Sequence, residues 1–227
     1  MQDSSKLPPA VSLLHLLLPP GNQGPLGSCT AWSSCEVRNA LANIQKPGSA
    51  VPLSEEFVYH QELFLQNALD PVQDVGAPLN VCADVWLQYG ACIEADDVYN
   101  PAALGKTPSE SAYANASQYT IQSAYQISTL SEILNCLAKG FPLQIGVLVY
   151  PSFESPLVAR SGDVQMPSPG EQPLGGHALA VYGYDRTKQV IYFRNSWGAW
   201  GNAGNGTLPF SYLQSSNTFM GGFTYRL

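Results

Sequence analysis

Four residues carry the side-chain types that a thiol-based acyl-transfer reaction requires. They are Gln23, Cys29, His177 and Asn195, set in the segments NQGPLGSCTAW, GGHALAVYGY and RNSWGAWG. A thiol attacks a carbonyl only as thiolate, so it needs a base and a local field that favours the anion. Cys29 follows the turn-forming Gly24-Pro25 and Gly27-Ser28 and precedes a helical stretch. That puts it at a helix N-terminus, where unpaired amides and the positive end of the dipole favour thiolate. The same amides could donate to an oxyanion, with the Gln23 side chain, six residues upstream, as second donor.

A cysteine alone is more often a core residue than a nucleophile. The case rests on its partners. The chain has only three histidines. His15 sits in an apolar segment and His60 inside a predicted helix, which leaves His177, at the start of a strand-like run, as the candidate base. Asn195 ends a second strand-like run in Arg194-Asn195-Ser196-Trp197-Gly198. Its carbonyl could fix the imidazole tautomer, and Trp197 could shield that bond from water.

The first half of the chain must supply the helix that holds Cys29. Residues 29–44 are apolar on nearly all sides, the pattern of a helix in the middle of a protein. Further helices are predicted over 55–67, where Ser54 is a fitting N-cap, and over 78–89, where Gly90 acts as a stop. Another follows Thr129, which forms a capping box with Glu132, and ends at Gly140. The second half changes period: 143–150, 178–184 and 190–194 read as strands, and the Pro/Ser/Gly-rich stretch 152–176 as a long loop. Helices first and strands later predict an α+β fold of two lobes with a cleft between them.

Composition narrows the rest. A chain of 227 residues can bury a sizeable core without staples. Ten basic residues against seventeen acidic ones, with no Lys/Arg run, argue against a nucleic-acid partner. Charged residues are 12% of the chain, about half the usual ~25%, a balance loosely associated with exported proteins. The stretch 11–18 imitates the apolar core of a signal peptide, but Pro19-Pro20 follows it where small residues would mark cleavage, so it is read as part of the fold. No segment approaches the ~18 apolar residues of a membrane span. Of five cysteines at least one is unpaired, with Cys29 the natural candidate. Cys35, Cys82, Cys92 and Cys136 could form two bridges or none.

Together the three segments resemble the papain-like cysteine peptidases. The likeness lies in a Gln six residues before Gly-Ser-Cys, a Gly-His-Ala strand, and Asn-Ser-Trp-Gly followed by Trp-Gly. Leu53-Ser54-Glu55 and Tyr182-Gly183-Tyr184-Asp185 extend the resemblance over most of the chain. Ser-Cys-Thr-Ala and GEQPLGGHA look more like the bacterial and viral branch. The resemblance implies a single domain over 1–227, with a helical left lobe at roughly 21–125, a β-barrel right lobe at roughly 126–218, and termini crossing between them. It also implies a peptide groove with Cys29 as nucleophile, His177 as base, Asn195 as its orienter and Gln23 as oxyanion donor. No cofactor or metal is expected, and the partners are a peptide or protein substrate to a monomeric, exported enzyme. A proteinaceous inhibitor, or a propeptide absent from this chain, is a further partner.

The chain departs from the family in places. Leu26 stands where many relatives have a bridged cysteine, Thr30 replaces the usual tryptophan, and the substrate ridge is reduced to Val75-Gly76. About twenty residues precede Gln23, so the relatives' inhibitory propeptide is not expected within them: either this is a mature form, or activity is controlled otherwise. By position, Gly76, Ala77, Pro78, Gly146, Gly176, Ala178 and Trp197 border the substrate. Their small apolar character predicts an open pocket for a bulky apolar group, with no acidic residue clearly placed there. The expected reaction is hydrolysis through an acyl-thioester, from a Cys29 thiolate paired with protonated His177. Acyl transfer to an amine, or a silent binding homologue, are the alternatives.

Overall fold

The glycines and Pro25 ahead of Cys29 hold the chain out of helical geometry until that residue, and α1 (Cys29–Gln45) begins there. The computed structural model describes residues 7–227; residues 1–6, which the single-domain expectation includes, lie outside it. Helix α1 buries Ala31, Cys35, Val37, Ala40 and Leu41 together with Ser33, Ser34, Arg38 and Asn39, so it is enclosed on several sides. Its last turn is less enclosed than its composition predicts, with Ile44 exposed.

Two further helices complete that side. In α2 (Glu55–Leu65) the Ser54 side chain accepts from Phe57 N, and in α3 (Leu79–Gln88) the buried face is Cys82, Ala83, Val85 and Trp86. Both end one or two residues inside the predicted limits, because Asn67 and Gly90 adopt positive φ and stop the helix. One core collects Ala31, Cys35, Val58, Tyr59, Leu63, Val85 and Trp86, and it also takes in Ala180 and Tyr225 from the sheet. A short helix, α4 (Glu110–Ala116), packs Ala112 and Ala116 against Phe57 and Cys92.

The sheet runs β2 (Ser123–Ile127), β7 (Phe219–Arg226), β3 (Leu143–Val149), β4 (Gly175–Asp185), β5 (Val190–Arg194), β6 (Asn205–Pro209), all antiparallel. Among the described residues no ladder joins β2 to β6. Strand β4 is long enough to serve two partners on one edge: Gly175 to Val181 pair with β3, and Gly183 to Asp185 pair with β1 (Ala10–Ser12). A side chain at Gly183 would meet the Val11 carbonyl at 2.3 Å, so only glycine admits β1 there. The apolar stretch 11–18 is thus part of the fold. Helix α5 (Leu130–Ala138), with its capping box at Thr129 and Glu132, covers a second core of Ile133, Leu137, Ile145, Val147, Leu179, Ile191, Phe193 and Leu208.

The expected lobe boundary at 125/126 falls within β2, and β7, beyond 218, lies inside the sheet. The predicted loop 152–176 contains a helix, α6 (Pro156–Ser161), which Ser155 caps and Gly162 ends in the left-handed region. A Pro at the first helical position reads as a loop residue in sequence, yet it is well suited to a helix start. All five cysteines are free. No helix among the described residues is long and apolar enough to cross a membrane.

Candidate active site

A cleft of about 1020 Å³ is lined from the helical side by Gln23, Gly27, Cys29, Gly76, Ala77, Pro78 and Leu79. From the sheet side it is lined by Gly146, Gly176, His177, Ala178, Trp197 and Met220. Ten of the eleven residues picked from sequence therefore face one space. The eleventh, Asn195, lies buried behind His177.

Two loops from opposite sides of the cleft are joined edge to edge: Gln23 N donates to Ser196 O at 2.8 Å and Gly198 N to Gly21 O at 2.9 Å. That pairing sets Gln23 beside the asparagine loop. Ser196 then orients two functional groups. Its backbone N–H donates to Asn195 Oδ1 (2.8 Å), and its hydroxyl donates to Gln23 Oε1 (2.5 Å).

The consequences follow from donor and acceptor roles. Because an N–H can only donate, the Asn195 atom facing Ser196 is the oxygen. The same oxygen lies 2.8 Å from His177 Nε2, so Nε2 carries a hydrogen. In the neutral imidazole Nδ1 is then left unprotonated, as a base requires. Gln23 Nε2 donates to Leu26 O at 2.7 Å, which spends one amide hydrogen and leaves the other. The Gln23 carbonyl is held by the Tyr99 hydroxyl at 2.8 Å, and Tyr99 in turn contacts the Ser28 hydroxyl at 2.6 Å.

Trp197 stacks on the imidazole, ring centroids 4.5 Å apart at 25°, and meets Phe153 and Trp200 edge-on. The stack holds the ring flat and keeps water from the His177–Asn195 bond. Burial pushes His177 down to about 4, against the smaller opposing effect of Asn195. Burial likewise pushes the Cys29 thiol up to about 11. The backbone N–H of Ala178 opposes that rise, while the nearby Glu62 carboxylate adds to it. Both shifts favour the neutral forms of the separate groups, the reverse of what a helix terminus alone suggests for Cys29.

Several contributors were not singled out from sequence. Met220 and Leu79 narrow the pocket: a side chain at Gly146 would meet each at 3.2 Å. The pocket beside Gly146 is therefore more filled than its small residues suggest. Met220 belongs to β7, whose alternation FMGGFTYR is masked by two glycines. Two carboxylates, Asp74 and Glu154, also line the cleft. Asp74 lies in a loop without periodic pattern, and Glu154 in the stretch read as featureless loop.

With this geometry in hand, the comparisons with known proteins carry weight. Residues 85–220 match the Peptidase_C39 like family, a span that includes His177 and Asn195 and begins after Cys29. The chain belongs to that family and to the papain-like cysteine peptidases. An uncharacterized peptidase C1-like protein of Acanthamoeba polyphaga mimivirus is 31% identical over 212 residues, covering 86% of this chain. The chain spans 66% of that relative's length. Xylellain, a cysteine protease from Xylella fastidiosa, superposes with a TM-score of 0.89 at 25% identity, over 98% of this chain and 87% of its own. The bromelain protease of Ananas comosus, solved with the E64 inhibitor, shares the fold at a TM-score of 0.71 and 18% identity, over 97% of this chain and 100% of its own. The viral and bacterial relatives agree with the branch that Ser-Cys-Thr-Ala and GEQPLGGHA suggested.

Proposed function

We propose that this papain-like protein hydrolyses peptide bonds through an acyl-thioester on Cys29. The observation that carries the proposal is the shared Asn195 oxygen, which commits His177 to the tautomer with a free Nδ1. As a substrate carbonyl arrives, the Cys29 proton passes to His177 and the sulfur attacks. The remaining Gln23 N–H and the Cys29 amide receive the oxyanion. His177 then protonates the leaving amine, and water, activated by the same imidazole, releases the acid. The attacking form is the Cys29 thiolate paired with protonated His177, reached against the burial that pushes each group toward neutrality.

Gly76, Ala77, Pro78, Gly146, Gly176, Ala178 and Trp197 border the bound peptide in this reading, with Met220 and Leu79 giving the pocket an apolar wall. The whole of 1–227 acts as one domain, and the low charge density favours an exported monomer. An epoxysuccinyl peptide tests the nucleophile: the protein should gain one adduct and Cys29→Ala none. A peptide library should be cleaved by the protein and not by Cys29→Ser. Products carrying an added amine would replace hydrolysis with acyl transfer, and absence of both adduct and cleavage would leave a silent homologue.

A further inference from the structure

We propose that Asp74 is a positioning residue that fastens the substrate-bordering loop 74–78 to the loop entering the nucleophile helix. No covalent tie does this, since all five cysteines are free. The Asp74 carboxylate instead takes the Gly27 N–H on both oxygens, at 3.0 and 3.1 Å. Oδ1 also accepts the Tyr59 hydroxyl proton, and the Tyr59 oxygen accepts from Gly76 N at 3.1 Å. Gln66 Nε2 completes the arrangement by donating to Gly76 O at 2.8 Å.

Each member does something the others cannot. Gly27 lies two residues before Cys29 and Gly76 stands on the cleft wall, so a chain of hydrogen bonds runs Gly27–Asp74–Tyr59–Gly76. The two loops nearly touch: a side chain at Gly27 would fall 3.1 Å from both Gly76 Cα and Gly76 N. Gly76 itself holds φ +67, one of several conformations that glycine reaches freely, so the hydrogen bonds with Tyr59 and Gln66 are what select it. Asp74 is solvent-exposed, yet its oxygens are turned onto two donors, one of them an amide of the nucleophile loop. Gly76 has both backbone groups occupied by Tyr59 and Gln66. Ala77, next along the cleft wall, is therefore the residue whose backbone the clamp presents to an extended peptide.

This inference rests on the peptidase reading for its activity arm, so the test has a second arm that does not. Asp74→Ala should speed hydrogen exchange at the Gly27 and Gly76 amides by tenfold or more, in an otherwise protected molecule. Unchanged exchange overturns the clamp whether or not the protein is a peptidase. In the activity arm Asp74→Ala should raise KM for an extended peptide about tenfold, because loosening a positioning contact is felt mainly in binding geometry. Alkylation of Cys29 by iodoacetamide, too small to touch the ridge, should stay within twofold. Asp74→Asn, which keeps an acceptor for Gly27, should restore most of the loss. Tyr59→Phe, which removes one hydroxyl from the core, should reproduce the KM effect. Equal losses in peptide turnover and iodoacetamide reactivity, or no rescue by Asp74→Asn, would overturn the positioning role.

Discussion

Glu62 sits at no exposure beneath α1, and replacing it with Gln should make the molecule weaker in acid and stronger in alkali. Its Oε2 accepts from Thr30 Oγ1 at 2.9 Å, while Oε1 has no partner. The neighbouring Cys82 thiol donates instead to Thr30 O at 3.5 Å. Burial raises the carboxyl from 4.5 to about 8, with Cys82 and Thr30 partly opposing the rise. The sign follows from proton counting: between those values the folded state holds a proton that the unfolded chain has released, so stability falls as pH rises. The loss is nil below the unfolded value and complete above the folded one. Three and a half pK units correspond to about 5 kcal/mol at the alkaline limit and about 3 kcal/mol at pH 7. Glu62→Gln removes this penalty but buries an amide with no acceptor for one end, costing about 1–3 kcal/mol at every pH.

The two stability curves should therefore cross near pH ~6, with the variant ahead by about 2–4 kcal/mol at pH ~9. Urea unfolding of both proteins from acid to alkaline pH measures the difference. Other buried acids, such as Glu36 and Glu55, contribute equally to both proteins and cancel. Because the Glu62 charge helps hold the Cys29 thiol up, the variant should also be alkylated at lower pH. Parallel stability curves with no crossing between acid and neutral pH would refute the buried-carboxyl argument.

Gln23→Ala should lower kcat by about 10²–10³ with little change in KM, as loss of an oxyanion donor does. Ser196→Ala, which frees the Gln23 amide without removing it, should cost about tenfold by steady-state kinetics, within the worth of one buried hydrogen bond. Asn195→Ala should lower kcat while leaving iodoacetamide reactivity measurable, because it releases the tautomer lock. The competent pair carries one shared proton, so kcat/KM should hold steady from an acid limb near the His177 value of about 4 up to an alkaline limb near the Cys29 value of about 11 or the onset of unfolding. An acid limb at the ordinary histidine value of 6.5 would show that His177 is not desolvated in the working enzyme.

What the sequence carried, and what it did not, divides along a physical line. The helix at Cys29, the capping box at Thr129 and the strand 190–194 are set by local rules of capping, punctuation and period, and each stands where those rules put it. Strands β2, β6 and β7 escaped because their stability is not local. Gly221 and Gly222 break the alternation of β7, and pairing with β2 and β3 holds it in place. The four residues proposed for chemistry could be picked out because the proposed reaction roles demand particular side-chain types. The residues that aim them were not, since Ser196, Asp74 and Tyr59 are ordinary types whose work depends on partners up to 173 positions away. Electrostatics was the least legible level. A thiol at a helix start reads as acidic, yet burial pushes the Cys29 thiol up and the Glu62 carboxylate adds to the rise, and that burial is set by packing that no local pattern displays.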